Sequence, residues 1–310
     1  MIPARECLEP EMLDAGPARL RTARFAADPA RPARGLCVLL NGQTEFIEKY
    51  FEVIDELRGR GFAVATLDWR GQGGSGRLVP EAPLRVHIYD FAEYDADLSA
   101  FMEKVVNPIL AEGTRPIALA HSMGGHILLN YLSRNPQRFA AAAFSAPMLM
   151  FSTRGQPRWL VSAITLIMMG LRRGTDFVWG MAGRDPLTMT FERQIVTSDR
   201  TRFQRTQDFL KAHPELRTIG PTWGWVAATD RALARLALPG FAERISTPAL
   251  IMGAGRDRIV ISEAARRFAA RMPASVYQAI ENAEHEILME RDELRGRFWQ
   301  AFDAFMDRHQ

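Results

Sequence analysis

Short apolar runs alternate with segments of helical periodicity through the first half of the chain, and this alternation constrains the fold more than any other feature. The apolar runs are candidates for buried strands, and the segments between them are candidates for crossover helices. The runs cover residues 35–42, 62–69, 115–122 and 140–147, with helical patterns over 45–60 and 90–110. Such alternation is typical of a parallel sheet with helices packed on it. The sequence therefore predicts an α/β fold.

The pattern changes after Pro147. Residues 148–235 are mostly helical in pattern, with no convincing buried strand, and strand-like runs return at 247–255 and 274–283 before a final amphipathic helix. We interpret the chain as a core in two parts, interrupted by a helical insertion. The predicted units are 1–147, 148–235 and 236–310. Because the insertion follows a strand, we expect it to lie over the carboxyl ends of the strands, where such sheets bind ligands.

Composition narrows the class of protein. The 310 residues are 47% hydrophobic, enough for a sizeable core, and the net charge is only +3 with no polybasic block. This pattern argues against a nucleic-acid partner. The N-terminus lacks the apolar stretch of a secretory signal, and the longest apolar run, 159–171, is shorter than the roughly 18 residues of a membrane span. We expect a cytoplasmic protein without metal or cofactor, because no His, Cys or Asp cluster has zinc spacing.

A candidate nucleophile lies where one strand-like run meets a helix. Ser122 follows the run IALAH and precedes MGGHILLNYL. A serine in a sharp turn between strand and helix exposes its Oγ, and the helix N-terminus favours negative charge there. The motif differs from G-x-S-x-G at one position, because Ala120 replaces the first glycine. A serine that only caps the helix is the alternative interpretation.

A serine nucleophile needs a base and a group that orients the base. Of the six histidines, His285 is the best candidate, because it follows the last predicted strand in ENAEHEILME. Asp257 directly follows the preceding predicted strand and is the candidate acid, while Asp230 is a rival inside the insertion. The order Ser122, Asp257, His285 is the one this type of fold uses. The alternatives are a surface histidine and a turn aspartate.

Four motifs in the same order as these candidates resemble the lysophospholipase and monoacylglycerol lipase group of α/β-hydrolases. They are NGQTEFIEKY, DWRGQGGSGR, AHSMGG and HEILME, and Asn41 stands where the group's first motif has histidine. VTSDRTRFQR and GPTWGW are similar to the cap of bacterial lysophospholipase-like members. The resemblance implies a mostly parallel central sheet flanked by helices, with a helical cap. It also implies an oxyanion hole made by the backbone N–H groups of Gln43 and Met123, consistent with the chemistry of acyl transfer.

Two further motifs have more than one interpretation. GQGGSG lacks the lysine and serine or threonine of a phosphate loop, so we predict a tight turn there. The segment RWLVSAITLIMMGLRR is apolar with arginines at both ends, and either roofs the active site or contacts a lipid surface. We predict that Leu166 and Ile167 contact the acyl chain of a substrate. Trp223 and Trp225 either line the same pocket or belong to the core of the cap.

These features predict a serine hydrolase that cleaves carboxylic acyl esters through an acyl-enzyme. The resemblance favours lysophospholipids or monoacylglycerols as substrates, with peripheral contact to a membrane surface through the cap. A thioesterase or acyltransferase with the same triad is one alternative. A non-hydrolytic binding protein is the other, because a fold does not by itself determine function.

Overall fold

The computed structural model describes residues 3–153 and 155–309. The predicted units contain residues 1, 2, 154 and 310, which lie outside the described residues. The strands are β1 (Glu11–Ala15), β2 (Ala18–Phe25), β3 (Gly35–Leu40), β4 (Phe62–Leu67), β5 (Arg85–Val86), β6 (Ile117–His121), β7 (Ala142–Ser145), β8 (Gly220–Pro221), β9 (Ala249–Ala254) and β10 (Ser275–Ile280). The α-helices are α1 (Phe51–Gly59), α2 (Ala92–Phe101), α3 (Ser122–Leu132), α4 (Arg158–Gly170), α5 (Arg200–Ala212), α6 (Trp223–Ala237), α7 (Ser262–Ala269) and α8 (Asp292–His309).

Eight strands form the central sheet, in the order β1-β2-β4-β3-β6-β7-β9-β10. The six strands from β4 to β10 run parallel, whereas β1 and β2 are antiparallel to each other and β2 is antiparallel to β4. The predicted α/β fold with a mostly parallel sheet is confirmed. Each of the six observed parallel strands lies inside the apolar run that predicted it.

The hairpin of β1 and β2 was not predicted from the sequence. Its loop is Gly16-Pro17, between the paired residues Ala15 and Ala18. Gly16 has φ +71°, which a glycine adopts without strain. A glycine at the first position of a two-residue loop is a hairpin signal. The signal was therefore present, but the strands around it are too polar to resemble the buried runs.

The helices cover a sheet whose central strands are buried. All five residues of β6 and all four of β7 are buried, as expected for parallel strands with helices on both faces. Helix α1 packs against β4, α3 packs against β6 and β7, and α7 and α8 pack against β9 and β10. This packing holds the carboxyl ends of the parallel strands at one edge.

The region predicted as a helical insertion contains α4, α5 and α6, but it is less helical than expected. Residues 171–199 are mostly turns and extended chain, with one short 3-10 helix at Pro186–Thr188. The two-residue strand β8 pairs with β5, so the region contains one short strand that the sequence did not indicate. So short a strand leaves no periodicity to detect. Helix α6 continues past residue 235, so the boundaries 148–235 stay a prediction. Within the described ranges, no helix is long and apolar enough to cross a membrane.

Candidate active site

Ser122 occupies a sharp turn between β6 and α3. Its φ is +50°, in the left-handed region that residues with a side chain rarely adopt. Strand β6 ends at His121, helix α3 begins at Ser122, and the N–H of Met148 donates to the Ser122 carbonyl at 2.9 Å. Strained backbone of this kind persists only when the surrounding structure enforces it. The turn therefore has the conformation of a nucleophile elbow.

Two glycines allow the elbow to form. A Cβ at Gly124 would lie 2.4 Å from the carbonyl oxygen of Asn41, and one at Gly125 would lie 2.8 Å from Cβ of Pro147. Real Cβ atoms do not approach other heavy atoms this closely, so a side chain at either position would force its neighbours to move. Ala120, which departs from the usual motif, is fully buried in β6. The Cβ of alanine is therefore accommodated on the strand side of the elbow.

Three candidate residues form a continuous hydrogen-bonded chain. His285 Nε2 lies 2.9 Å from Ser122 Oγ, and His285 Nδ1 lies 2.7 Å from Asp257 Oδ2. The other carboxylate oxygen of Asp257 accepts the N–H groups of Ile259 and Val260, each at 2.8 Å. Those bonds fix the carboxylate, and the carboxylate fixes the imidazole. The three residues meet because each follows a parallel strand: β6, β9 or β10.

The rival acid lies elsewhere. Asp230 is in α6, where its carboxylate faces Arg158 at 3.4 Å and accepts a hydrogen bond from Ser162 at 3.1 Å. Both partners belong to α4, so Asp230 ties two helices of the cap together. The structure does not bring it to His285.

His121 lies in the wall of the site beside the candidate base. Its ring centroid is 4.9 Å from that of His285, and its Nδ1–H donates to the Ser145 carbonyl at 3.0 Å. Burial lowers the pKa of His121 to about 4, although the nearby Glu45 carboxylate acts in the opposite direction. His121 is therefore neutral near pH 7 and adds no positive charge beside His285. The hydrogen bond to Ser145 anchors the His121 side chain to β7.

The loop after β3 lies next to the elbow. The Asn41 side chain donates to the Leu67 carbonyl at 3.1 Å, and the Asn41 carbonyl accepts the indole N–H of Trp69 at 2.9 Å. Thr44 N–H donates to Gln72 Oε1 at 2.5 Å, which holds the loop from its other end. Asparagine thus anchors the loop to β4 in place of the histidine expected from the resemblance. Gln43, between these anchors, lines the active-site cavity.

The DWRGQGGSGR turn is filled by a carboxylate of the chain itself. Asp68 Oδ2 accepts the N–H of Gly74 at 2.7 Å, and Asp68 Oδ1 accepts the N–H of Ile47 at 2.8 Å. Arg21 pairs with the same carboxylate at 2.8 Å. The turn therefore braces the helical segment that begins at Ile47, after the loop that follows β3. Among the described residues, no group of three His, Cys, Asp or Glu side chains has the arrangement of a metal site.

A cavity of about 500 Å³ opens beside Ser122 and His285, within the range of small-molecule sites. Its wall is mostly apolar and includes Trp223 and Trp225, as one of the two sequence interpretations expected. A second cavity of about 230 Å³ adjoins it. The apolar residues shared by the two walls are Met181, Val196, Ile219 and Ile259.

The prediction for Leu166 and Ile167 is corrected by the structure. Their exposed fractions are 71% and 61%, and neither lines the cavity. The residues of α4 that do line it are Val161 and Ile164. The helix is apolar on both faces, so its periodicity did not reveal which face points inward.

The sheet order, the elbow and the loops at the strand ends together define an α/β-hydrolase. Residues 31–292 match the family described as serine aminopeptidase, S33, and the chain belongs to this family. It is 32% identical to lysophospholipase L2 of Escherichia coli K12 over 293 residues, which cover 92% of this chain and 84% of that protein. It is 28% identical to the probable lysophospholipase L2 of Haemophilus influenzae, over 92% of this chain and 87% of that protein.

Solved structures agree on the fold. A soluble variant of monoglyceride lipase from Saccharomyces cerevisiae superposes with a TM-score of 0.79 at 20% identity, covering 98% of this chain and 96% of that one. Monoacylglycerol lipase of Paleococcus ferrophilus superposes with a TM-score of 0.71 at 23% identity, covering 94% of this chain and 99% of that one. The resemblance inferred from the four motifs is confirmed at the level of the family.

Sequence reasoning missed part of the site. Lys49 lies between the carboxylates of Glu45 and Glu286, and Glu286 directly follows the candidate base His285. Glu45 and Lys49 are four residues apart, a spacing that brings side chains together on a helical turn. That spacing was the available signal for one contact. No sequence signal indicated the other contact, because Glu286 is 237 residues away along the chain.

Proposed function

We propose that this chain is a carboxylic ester hydrolase with Ser122, His285 and Asp257 as its catalytic triad, and that lysophospholipids are its substrates. The observation that carries the proposal is the hydrogen-bonded chain from Asp257 to Ser122, at a mostly apolar cavity. The S33 family membership supports the chemistry. The names of the two lysophospholipase relatives support the substrate class.

The mechanism follows from the order in which these three side chains are connected. His285 Nε2 accepts the Ser122 proton as Oγ attacks the ester carbonyl, and Asp257 stabilises the imidazolium that forms. We assign the oxyanion contacts to the N–H groups of Met123, at the start of α3, and Gln43, in the loop after β3. His285 then protonates the departing alcohol. Water, deprotonated by His285, attacks the acyl-enzyme and releases the fatty acid.

Two cations favour a phosphate-bearing head group over a neutral glycerol. Arg184 and Arg258 both line the active-site cavity, and Arg184 also lines the smaller one. Guanidinium groups bind phosphate oxygens in pairs with good geometry. A lysophospholipid carries one phosphodiester, whereas a monoacylglycerol has none. This difference is the structural argument for ranking lysophospholipids first.

The same cavity argues against an aminopeptidase, which the family's description suggests. Holding the free ammonium of a peptide requires an unpaired acid near the nucleophile. Of the described residues that line the cavity, the acids are Glu45 and Glu286, and both pair with Lys49. An ammonium group would therefore compete with a buried lysine for these carboxylates.

The test is a hydrolysis panel of lysophospholipids, monoacylglycerols, thioesters and aminoacyl amides, with fluorophosphonate labelling. Ser122→Ala should lose labelling and about a million-fold in kcat while keeping its fold, as in a characterised serine protease. The Arg184→Gln/Arg258→Gln variant should lose roughly tenfold in kcat/KM on lysophospholipid, the loss of about one charged hydrogen bond. Its activity on monoacylglycerol should stay near that of the parent. Labelling that survives Ser122→Ala would refute the triad, and equal losses on both lipids would refute the phosphate contact.

We further propose that the outer face of α4 contacts a lipid surface. Trp159, Leu166 and Ile167 are spaced to lie along one side of the helix, and all are largely exposed. Arg172 and Arg173 follow the helix directly and are exposed, where they would meet anionic head groups. An apolar helical face next to basic residues is typical of a segment that lies in the membrane interface.

A further inference from the structure

A buried ion triad lies beside the proposed catalytic residues. Lys49 Nζ lies 2.7 Å from Glu45 Oε1 and 2.6 Å from Glu286 Oε1, and the exposed fractions of the three side chains are 9%, 4% and 14% in that order. Burial alone lowers the pKa of Lys49, but the two carboxylates raise it above its usual value. Burial likewise raises the pKa of Glu45, and the charge of Lys49 brings it below its usual range. Lys49 and Glu45 are therefore both charged at neutral pH.

Each carboxylate holds a different part of the site. Glu45 Oε2 accepts the N–H of Gly42 and the hydroxyl of Tyr50, so it shapes the loop that presents Gln43. Glu286 directly follows His285, and its N–H donates to the Val196 carbonyl in the cap at 2.8 Å. The first carboxylate thus belongs to the oxyanion loop, and the second belongs to the loop of the proposed base.

The two loops follow strands that are not neighbours in the sheet. The oxyanion loop follows β3 and the histidine loop follows β10, and three strands, β6, β7 and β9, lie between them. No backbone ladder joins β3 to β10 directly. Lys49 spans the gap with two short ionic contacts.

We propose that Lys49 is a positioning residue, which sets the oxyanion loop relative to His285 through its contacts with Glu45 and Glu286. The inference depends on the proposed ester hydrolase function. Oxyanion donors act only when they lie 2.7–3.1 Å from the developing charge. A displacement of about 1 Å costs on the order of a hundredfold in rate. By positioning the loop, the buried ion triad therefore affects a contact that is made in the transition state.

This role predicts a specific kinetic pattern. Lys49→Met keeps most of the apolar stem and removes the ammonium group. We expect kcat on a short soluble ester to fall by about a hundredfold, with KM within about twofold of the parent, because the lost interaction exists only in the transition state. The rate of fluorophosphonate labelling should fall in parallel. Lys49→Arg retains the charge and should recover part of the loss.

The chain offers matched controls, because it contains three lysines: Lys49, Lys104 and Lys211. Lys104 is exposed and donates to the Asp14 carbonyl at 2.9 Å, away from the site. Lys104→Met should leave kcat, KM and labelling unchanged. Glu286→Gln keeps the shape of the second partner and serves as the decisive variant if Lys49→Met does not fold. It should also lower kcat at constant KM.

Three results would overturn the inference. The first is a Lys49→Met protein that melts at a lower temperature but keeps kcat, which would show that the ion triad stabilises the fold without positioning the site. The second is a loss confined to KM, which would mean direct contact with substrate, since Lys49 lines the smaller cavity. The third is full activity of Glu286→Gln. The parent and Ser122→Ala are measured in the same series, so failure of the ester hydrolase proposal itself would appear there instead.

Discussion

Helices α3 and α4 are both apolar in sequence, yet the structure gives them opposite surroundings. Ten residues of α3 are buried, whereas only Thr165 and Met168 of α4 are. Helix α3 begins at Ser122 and packs on β6 and β7, while α4 packs chiefly on α6 and exposes its outer face. Two helices of similar apolar composition therefore have different surroundings and different proposed roles. The buried helix carries the proposed nucleophile at its first residue, and the exposed one presents the apolar face that we propose contacts a lipid surface.

The largest expected effect concerns two aspartates: Asp257, which follows β9 and contacts His285, and Asp230 in α6, which contacts α4. Asp257→Asn should lose about four orders of magnitude in kcat, because an amide at this position favours the wrong imidazole tautomer. Asp230→Asn removes only a contact between α4 and α6, so its kcat should stay within a few-fold of the parent. Steady-state kinetics on a soluble ester compares the two. A larger loss for Asp230→Asn would assign the third triad position to the cap.

Glycines provide a matched pair for stability. A Cβ at Gly124 in α3 would meet the backbone of Asn41 and Leu40, at 2.4 and 2.7 Å from their carbonyl oxygens. Gly124→Ala should therefore lower the free energy of unfolding by about 1 to 3 kcal/mol. A Cβ at Gly170, at the end of α4, would meet open space, so Gly170→Ala should raise the free energy of unfolding by up to about 1 kcal/mol. Urea unfolding measures both, and equal effects would contradict the contrast.

The exposed face of α4 makes a substrate-dependent prediction. If half of each side chain enters a lipid surface, Leu166→Ser/Ile167→Ser loses about 1 kcal/mol per residue. Activity on micellar or vesicle-bound lysophospholipid should then fall roughly thirtyfold, while hydrolysis of a short soluble ester stays constant. Sedimentation with anionic vesicles should show the same loss of binding. Val161→Ser, on the inner face, should affect both substrates, and an outer-face variant that does the same would remove the lipid-surface proposal.

The last expected effect is the acid sensitivity of α3, which is absent near neutral pH and develops only as the pH falls. Burial lowers the pKa of His126 to about 4, and its Nδ1–H donates to the Met148 carbonyl at 3.0 Å. The unfolded chain binds this proton near pH 6.5 and the folded chain only near pH 4. The stability that neutral His126 contributes is therefore complete above pH 6.5 and lost as the pH falls towards 4.

His126→Gln should remove this part of the pH dependence, which has a slope of at most about 1.4 kcal/mol per pH unit. The difference in the free energy of unfolding between the variant and the parent, followed against pH, isolates the contribution of His126. Burial raises the pKa values of Asp95 and Asp97 to about 6, and those groups act in the opposite direction in both proteins. Urea unfolding at several pH values gives the difference, and parallel curves would contradict the assignment.

Much of the fold was accessible from the sequence, because strand and helix periods are local properties. The predicted runs contained every strand from β3 to β10 of the central sheet, and the elbow was visible where β6 meets α3. The hairpin of β1 and β2 was missed, because β1 is mostly exposed and β2 places arginines between buried residues instead of forming an apolar run. Residues 171–199 were expected to be mostly helical and are largely irregular, a result of packing that composition does not encode.

The sequence by itself determined the family, the order of the three candidate catalytic residues and the position of each after a strand. Such positions follow from the chain's own periodicity and from the rule that parallel strands end at one edge. Only the tertiary structure decided which face of α4 turns outward, so that Ile164 lines the cavity and Leu166 does not. It alone brought Lys49 to Glu286. Contacts of this kind depend on the order of strands in the sheet and on the packing of one element against another, and neither leaves a period in the sequence.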